Sequence, residues 1–122
     1  MKSPHEIAEQ YLAAWNETDA PRRRALVEQA FGREASYQDP LMSGAGHAGI
    51  DAMIAGAQVQ FPGMRFTLAG TPDGHHDVVR FSWTLAAPGQ APVAHGSDVA
   101  TIADGRISTV IGFLDKVSQP AA

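Results

Sequence analysis

An α+β fold in a single domain is predicted, with three N-terminal helices packed on a strongly curved, mainly antiparallel sheet. Three observations predict it. Apolar residues recur at helical spacing through the first half of the chain and alternate with polar ones through the second. The change of period falls at Pro62-Gly63, a pair that ends helices. Asp104-Gly105, between two alternating runs, is a strong hairpin signal. A chain of 122 residues suits one continuous core, so one domain is expected over residues 1–122, with residues 118–122 as a loose tail.

The elements follow in order. Ser3-Pro4-His5-Glu6 has the pattern of a capping box with proline at the first helical position. Ile7, Tyr11, Leu12 and Trp15 then share one face, which predicts a helix from Pro4 to Asn16. Asp19 caps a second helix whose apolar stripe is Leu26, Val27, Ala30 and Phe31, with Gly32 as its stop. Glu34 to Gln38 reads as a short strand closed by Asp39, because Pro40 disfavours helical backbone in the residue before it. A third helix is predicted from Ile50 to Phe61 on the spacing of Ile50, Met53, Ile54, Ala57 and Phe61.

Met64, Phe66 and Leu68 then alternate with Arg65 and Thr67, and Thr71-Pro72-Asp73-Gly74 reads as a turn. In the next strand Val79, Phe81, Trp83 and Leu85 alternate with Val78, Arg80, Ser82 and Thr84, and Pro88-Gly89 breaks it. A further strand begins near Val93 and the Asp104-Gly105 hairpin leads into the last. The expected order is helix, helix, strand, helix and four antiparallel strands. A curved sheet facing three helices leaves a cavity between the layers, the natural place for a ligand.

Composition narrows the chemistry. The absence of cysteine excludes disulfides, thiolate catalysis and cysteine-ligated metal sites. A net charge of -4 argues against general nucleic-acid binding. The one basic run, Arg22 to Arg24, reads as a solvated helix face. The apolar runs are too short to cross a bilayer, and Met1 to Asp19 does not have the pattern of a signal peptide, so a cytoplasmic location is expected. His75-His76 lies in a turn without a second pair at ligand spacing, so no metal is expected.

Three segments carry a family resemblance: "YLAAWNETD" from Tyr11, "YQDPLMSGAGHAGIDAM" from Tyr37, and "HGSDVATIADGRISTV" from His95. With the element order, they make the chain resemble the nuclear transport factor 2-like cone fold. The branch is that of the SnoaL-like polyketide cyclases and ketosteroid isomerases. The resemblance implies a cofactor-independent site with a carboxylate base and an oxyanion hole made of a tyrosine and a protonated aspartic acid. Carried over by position, Asp39 is the base, while Tyr11 and Asp98 are the donors. Trp15, Tyr37, Met53, Phe61, Arg80, His47, His95 and Phe113 are the expected substrate-binding residues.

Each of these has a structural alternative. Asp39 before proline is also the pattern of a strand cap bonding nearby amides. Tyr11 fits a core tyrosine, and His47 and His95 fit hydrogen-bonded structural histidines. Asp98 could pair with Arg80, which would keep it ionised. Arg80 with Asp98 also resembles part of the set of epoxide hydrolases of this fold, although Ser82 stands where a second acid is expected. The functional expectation is an isomerase or cyclase acting on a small apolar carbonyl compound. The alternative is a binding or dimerisation module, with some of Val79, Phe81, Trp83 and Leu85 exposed on the outer sheet face for a homodimer.

Overall fold

The capping box forms in the computed structural model, which describes residues 2–117. The Ser3 hydroxyl accepts from the Glu6 amide at 3.1 Å and the Glu6 carboxylate accepts from the Ser3 amide at 3.2 Å, starting helix α1, Pro4–Asn16. Asp19 accepts from the Arg22 amide at 3.1 Å and starts α2, Ala20–Ala30. Phe31, expected at the end of the α2 stripe, instead opens strand β1, Phe31–Gln38, and Gly32 lies within that strand. The Phe31 amide closes the helix onto the Val27 carbonyl while its ring packs against Tyr11, so one residue ends the helix and begins the sheet. The tail predicted for residues 118–122 lies outside the described residues.

After β1 come a short strand β2, Ser43–Ala45, and α3, Gly46–Gln60. β2 was not predicted, and α3 begins four residues before Ile50. Both depend on backbone fit. A Cβ at Gly44 would come within 3.0 Å of the Gly49 carbonyl oxygen, so a bare strand packs on the first turn of the helix.

Four further strands follow: β3, Arg65–His75; β4, Val78–Ala86; β5, Ala94–Ala103; and β6, Arg106–Val117. They form one sheet in the order β2-β1-β6-β5-β4-β3, antiparallel except where β1 runs parallel to β6. The turn expected at Thr71-Pro72-Asp73-Gly74 lies inside β3 instead. The register shifts between Ala69 and Asp73 with Gly70 at φ 74°, and the chain reverses at His76-Asp77. Pro72 fits because β3 is an edge strand and the bulge takes up the missing donor. Asp104 and Gly105 both have positive φ, as a two-residue hairpin requires.

The core lies between the helices and one sheet face, and Val79, Phe81, Trp83 and Leu85 all point into it. They are therefore not outer-face residues as the dimer expectation allowed. The exposed apolar side chains of that face come from β6, with Ile111 and Phe113 44% and 54% exposed.

Arg23 corrects the reading of the basic run. Arg22 and Arg24 are solvated beside Asp19 and Glu28, but Arg23 is buried. Its Nε donates to Asp51 at 2.9 Å and its Nη1 to Gln58 at 3.0 Å, while Gln58 donates to the carbonyls of Trp15 and Glu17 at the end of α1. This network ties the three helices together. Arg23→Ala leaves Asp51 without its partner and is expected to destabilise the fold by about 3 kcal/mol, read by denaturant melts. Among the described residues no helix is long and apolar enough to cross a membrane.

Candidate active site

Between helices and sheet lies a cavity of about 460 Å³ with mainly apolar walls. Helix α1 contributes Tyr11 and Trp15 from successive turns, and β1 contributes Tyr37 and, just beyond its end, Asp39. These last two are two residues apart and so share a strand face. The Tyr37 hydroxyl donates to Asp39 Oδ2. Asp39 Oδ1 accepts from the amides of Leu41 at 2.7 Å and Met42 at 2.9 Å. Asp39 is thus both the strand cap and a wall of the cavity, because the tight turn at Pro40 that needs capping is the turn that holds its carboxylate there.

Asp98 projects from the middle of β5, opposite Phe81 of β4 and Gly112 of β6. It is 1% exposed. Trp83 Nε1 donates to its Oδ2 at 3.2 Å, whereas Oδ1 has no hydrogen-bond partner among the described residues. The Tyr11 hydroxyl faces the same carboxyl without closing a hydrogen bond of ordinary geometry, so indole and phenol share the surroundings of one acid. The Asp98 pKa is raised to about 7, with burial the largest cause. The Tyr11 and Trp83 donors pull it back, and the Asp39 and Asp115 charges push it further up. Burial also raises the Tyr11 hydroxyl well above its ordinary value, with Asp98 and Tyr37 adding to it, so Tyr11 stays a hydrogen-bond donor. Tyr37 is raised in the same way by burial and by Asp98 and Asp39.

Tyr11, Asp39 and Asp98 therefore line one cavity, together with Trp15, Tyr37 and Phe61. The other expected binding residues lie elsewhere. Met53 packs half-buried against the core without lining the cavity. Arg80 is on the outer face, 3.2 Å from Asp73, so it does not pair with Asp98 and the hydrolase-like set does not assemble. His47 Nε2 lies 2.8 Å from the Phe31 carbonyl oxygen. His95 and Phe113 point outward from β5 and β6. For Arg80, His95 and Phe113 the parity of their strands relative to the core decides the placement, and alternation alone does not specify it.

Sequence reasoning missed Trp83 as the partner of Asp98, and Phe66, whose ring meets Trp15 and Trp83 edge-on at 5.3 and 5.1 Å. It also missed Gly96 and Gly112, whose added Cβ atoms would meet Trp83 and Asp98. A Cβ at Gly96 would come within 2.1 Å of Trp83 Cζ2, so the indole lies directly on bare β5 backbone. The available signal was an isolated glycine at an inward strand position, a mark of close approach. Gly96→Ala is expected to displace the indole and break its bond to Asp98, costing about 1 to 3 kcal/mol. The check is the indole N–H resonance of Trp83, which should move and exchange faster with solvent.

Three helices on an open six-stranded mixed sheet, enclosing a cavity with paired acids and tyrosines, place the chain in the nuclear transport factor 2-like class of α+β cone folds. The SnoaL-like domain profile matches residues 8–110, and the chain belongs to that family. A candidate isomerase of the SnoaL-like family from Agrobacterium tumefaciens is 56% identical, with 90% of this chain and 95% of that one covered at a TM-score of 0.87. A candidate polyketide cyclase from Sinorhizobium meliloti shares the fold at 21% identity, covering 91% and 99% of the two chains, with a TM-score of 0.69. A candidate ketosteroid isomerase from Kribbella flavida does so at 16% identity, covering 98% and 82%, with a TM-score of 0.68. No curated protein matches the chain.

Proposed function

We propose that this protein is a cofactor-independent acid/base enzyme acting on a small, mostly apolar carbonyl compound. Asp39 takes the proton from the carbon next to the carbonyl. The electron pair moves onto the carbonyl oxygen, and the resulting enolate accepts hydrogen bonds from Tyr11 and protonated Asp98. Returning the proton to a more distant carbon completes an isomerisation, while attack of the enolate carbon on a second carbonyl closes a ring and the proton held by Asp39 passes to the new alkoxide. Trp15, Tyr37 and Phe61 are the apolar walls that orient the substrate.

The observation that carries this reading is Asp98, a carboxyl 1% exposed in an apolar cavity with one oxygen unpartnered and Asp39 on the same wall. A buried acid with no cationic partner is costly to a fold and is a mark of function. The protein acts in the cytoplasm as a homodimer through the outer sheet face, supported by exposed Ile111 and Phe113.

A second reading, a non-catalytic module for an apolar ligand, is favoured by the engagement of Asp39. Three donors already reach its two oxygens. Deuterium exchange next to the carbonyl of a cyclic β,γ-unsaturated ketone, followed by NMR in heavy water, separates the two. Exchange faster than in buffer supports the enzyme. A ketone that binds, seen by shifted cavity resonances, without faster exchange supports the module.

A further inference from the structure

Asp39, Gly112 and Asp98 lie side by side on the inner face, on three neighbouring segments of the sheet. β1 pairs with β6 through Gln38 and Ile111, which sets Asp39 beside Gly112, and Asp98 is the partner of Gly112 across β5 and β6. A Cβ at Gly112 would meet Asp98 Oδ1 at 2.7 Å, Asp39 Cβ at 3.1 Å and the Tyr37 hydroxyl oxygen at 3.3 Å. The first distance is shorter than real Cβ contacts allow, and the contacts come from three side chains converging over one bare backbone position. The oxygen resting there is the one without a hydrogen-bond partner among the described residues.

We infer that Gly112 is a positioning residue: by offering no side chain it lets the Asp98 carboxyl lean across β6 toward Asp39, so that the two acids are coupled and the charge of Asp39 acts on the Asp98 proton at close range. Any side chain at this position would stand between the carboxyls or push one of them away. Two acids within reach of each other in low-dielectric surroundings cannot ionise independently. The charge on Asp39 then helps to hold the proton on Asp98. The remaining groups acting on Asp98 are Tyr11 from α1, Tyr37 from β1, Trp83 from β4 and Asp115 from β6. Of these, Tyr37 comes nearest to the space over Gly112, and its hydroxyl is already directed to Asp39.

The inference rests on the acid/base reading of the cavity for its meaning, but its test reads titration instead of turnover, so the two fail separately. The Asp39 and Asp98 carboxyl carbons are titrated by NMR in the wild type and in Asp39→Asn, Gly112→Ala and the double variant. In the native background Asp39→Asn is expected to lower the Asp98 midpoint by about one pH unit or more. In the Gly112→Ala background the same substitution is expected to move it by less than half as much. An Asp98 midpoint that ignores Asp39→Asn overturns the coupling, and an equal response in both backgrounds overturns the role of Gly112. Should Gly112→Ala fail to fold, Gly112→Ala/Asp98→Ala is expected to fold again, because the opposing carboxyl has been removed. A double variant that stays unfolded overturns the inference.

Discussion

Replacing Asp39 with Asn is expected to lower the rate of deuterium exchange next to the ketone carbonyl by about 10²- to 10⁴-fold, the usual contribution of a positioned general base. Stability is expected to change little, for a reason visible in the turn. The amide oxygen of Asn can still accept from the amides of Leu41 and Met42, which meet Asp39 Oδ1 in the native protein. On the other side the new NH₂ faces the Tyr37 hydroxyl, which can rotate from donor to acceptor. The cap is therefore expected to survive while the proposed base is lost. Measuring exchange and a denaturant melt on the same sample separates the two roles. Undiminished exchange in a folded variant would remove Asp39 from the mechanism, and equal loss of both would make it a cap alone.

The second large effect is a pH dependence centred on Asp98. Its folded pKa of about 7 lies above the ordinary carboxylate value of 3.8, so the folded chain holds the proton more tightly than the unfolded one. The stability this gives is complete below about pH 4, declines as the pH rises, and is lost above about pH 7, where folding buries a charged carboxylate. A separation of about three pH units corresponds to about 4 kcal/mol across that window. Asp98→Asn cannot ionise and is expected to be more stable than the wild type at pH 8, with the difference shrinking to near zero at pH 4. Melts of the two proteins across this range read the contribution of Asp98, since every other titratable group is present in both. Catalysis should follow the same proton. kcat/KM for the exchange reaction is expected to fall about tenfold per pH unit above pH 7, and Asp98→Asn, which keeps an N–H donor, should lose that fall. An unchanged alkaline limb in the variant would assign it to another group.

Much of the architecture was legible because its signals are local. The Ser3 capping box, the helical spacing of Ile7, Tyr11 and Trp15, the break at Pro62-Gly63 and the Asp104-Gly105 turn each act over a few residues, and each formed as read. What the local signals misplaced were positions decided by partners far along the chain. Thr71-Pro72-Asp73-Gly74 has turn composition, yet an edge strand with a bulge at Gly70 can absorb it. Phe31 has helical spacing, yet its pairing with Ile107 of β6 draws it into the sheet.

The same division runs through the site. By itself the sequence determined that an acid before proline, a helix tyrosine and a strand acid were available, at positions matching a known arrangement. Only the tertiary structure decided which of them share a cavity. Alternation places Arg80, His95 and Phe113 on one face of their strands and Trp83, Asp98 and Gly112 on the other, but the inner face is defined by where α1 and α3 pack. The glycines were the least legible, because Gly96 and Gly112 act through space they leave empty. Their effect exists only where Trp83 and Asp98 are brought over them by residues on neighbouring strands.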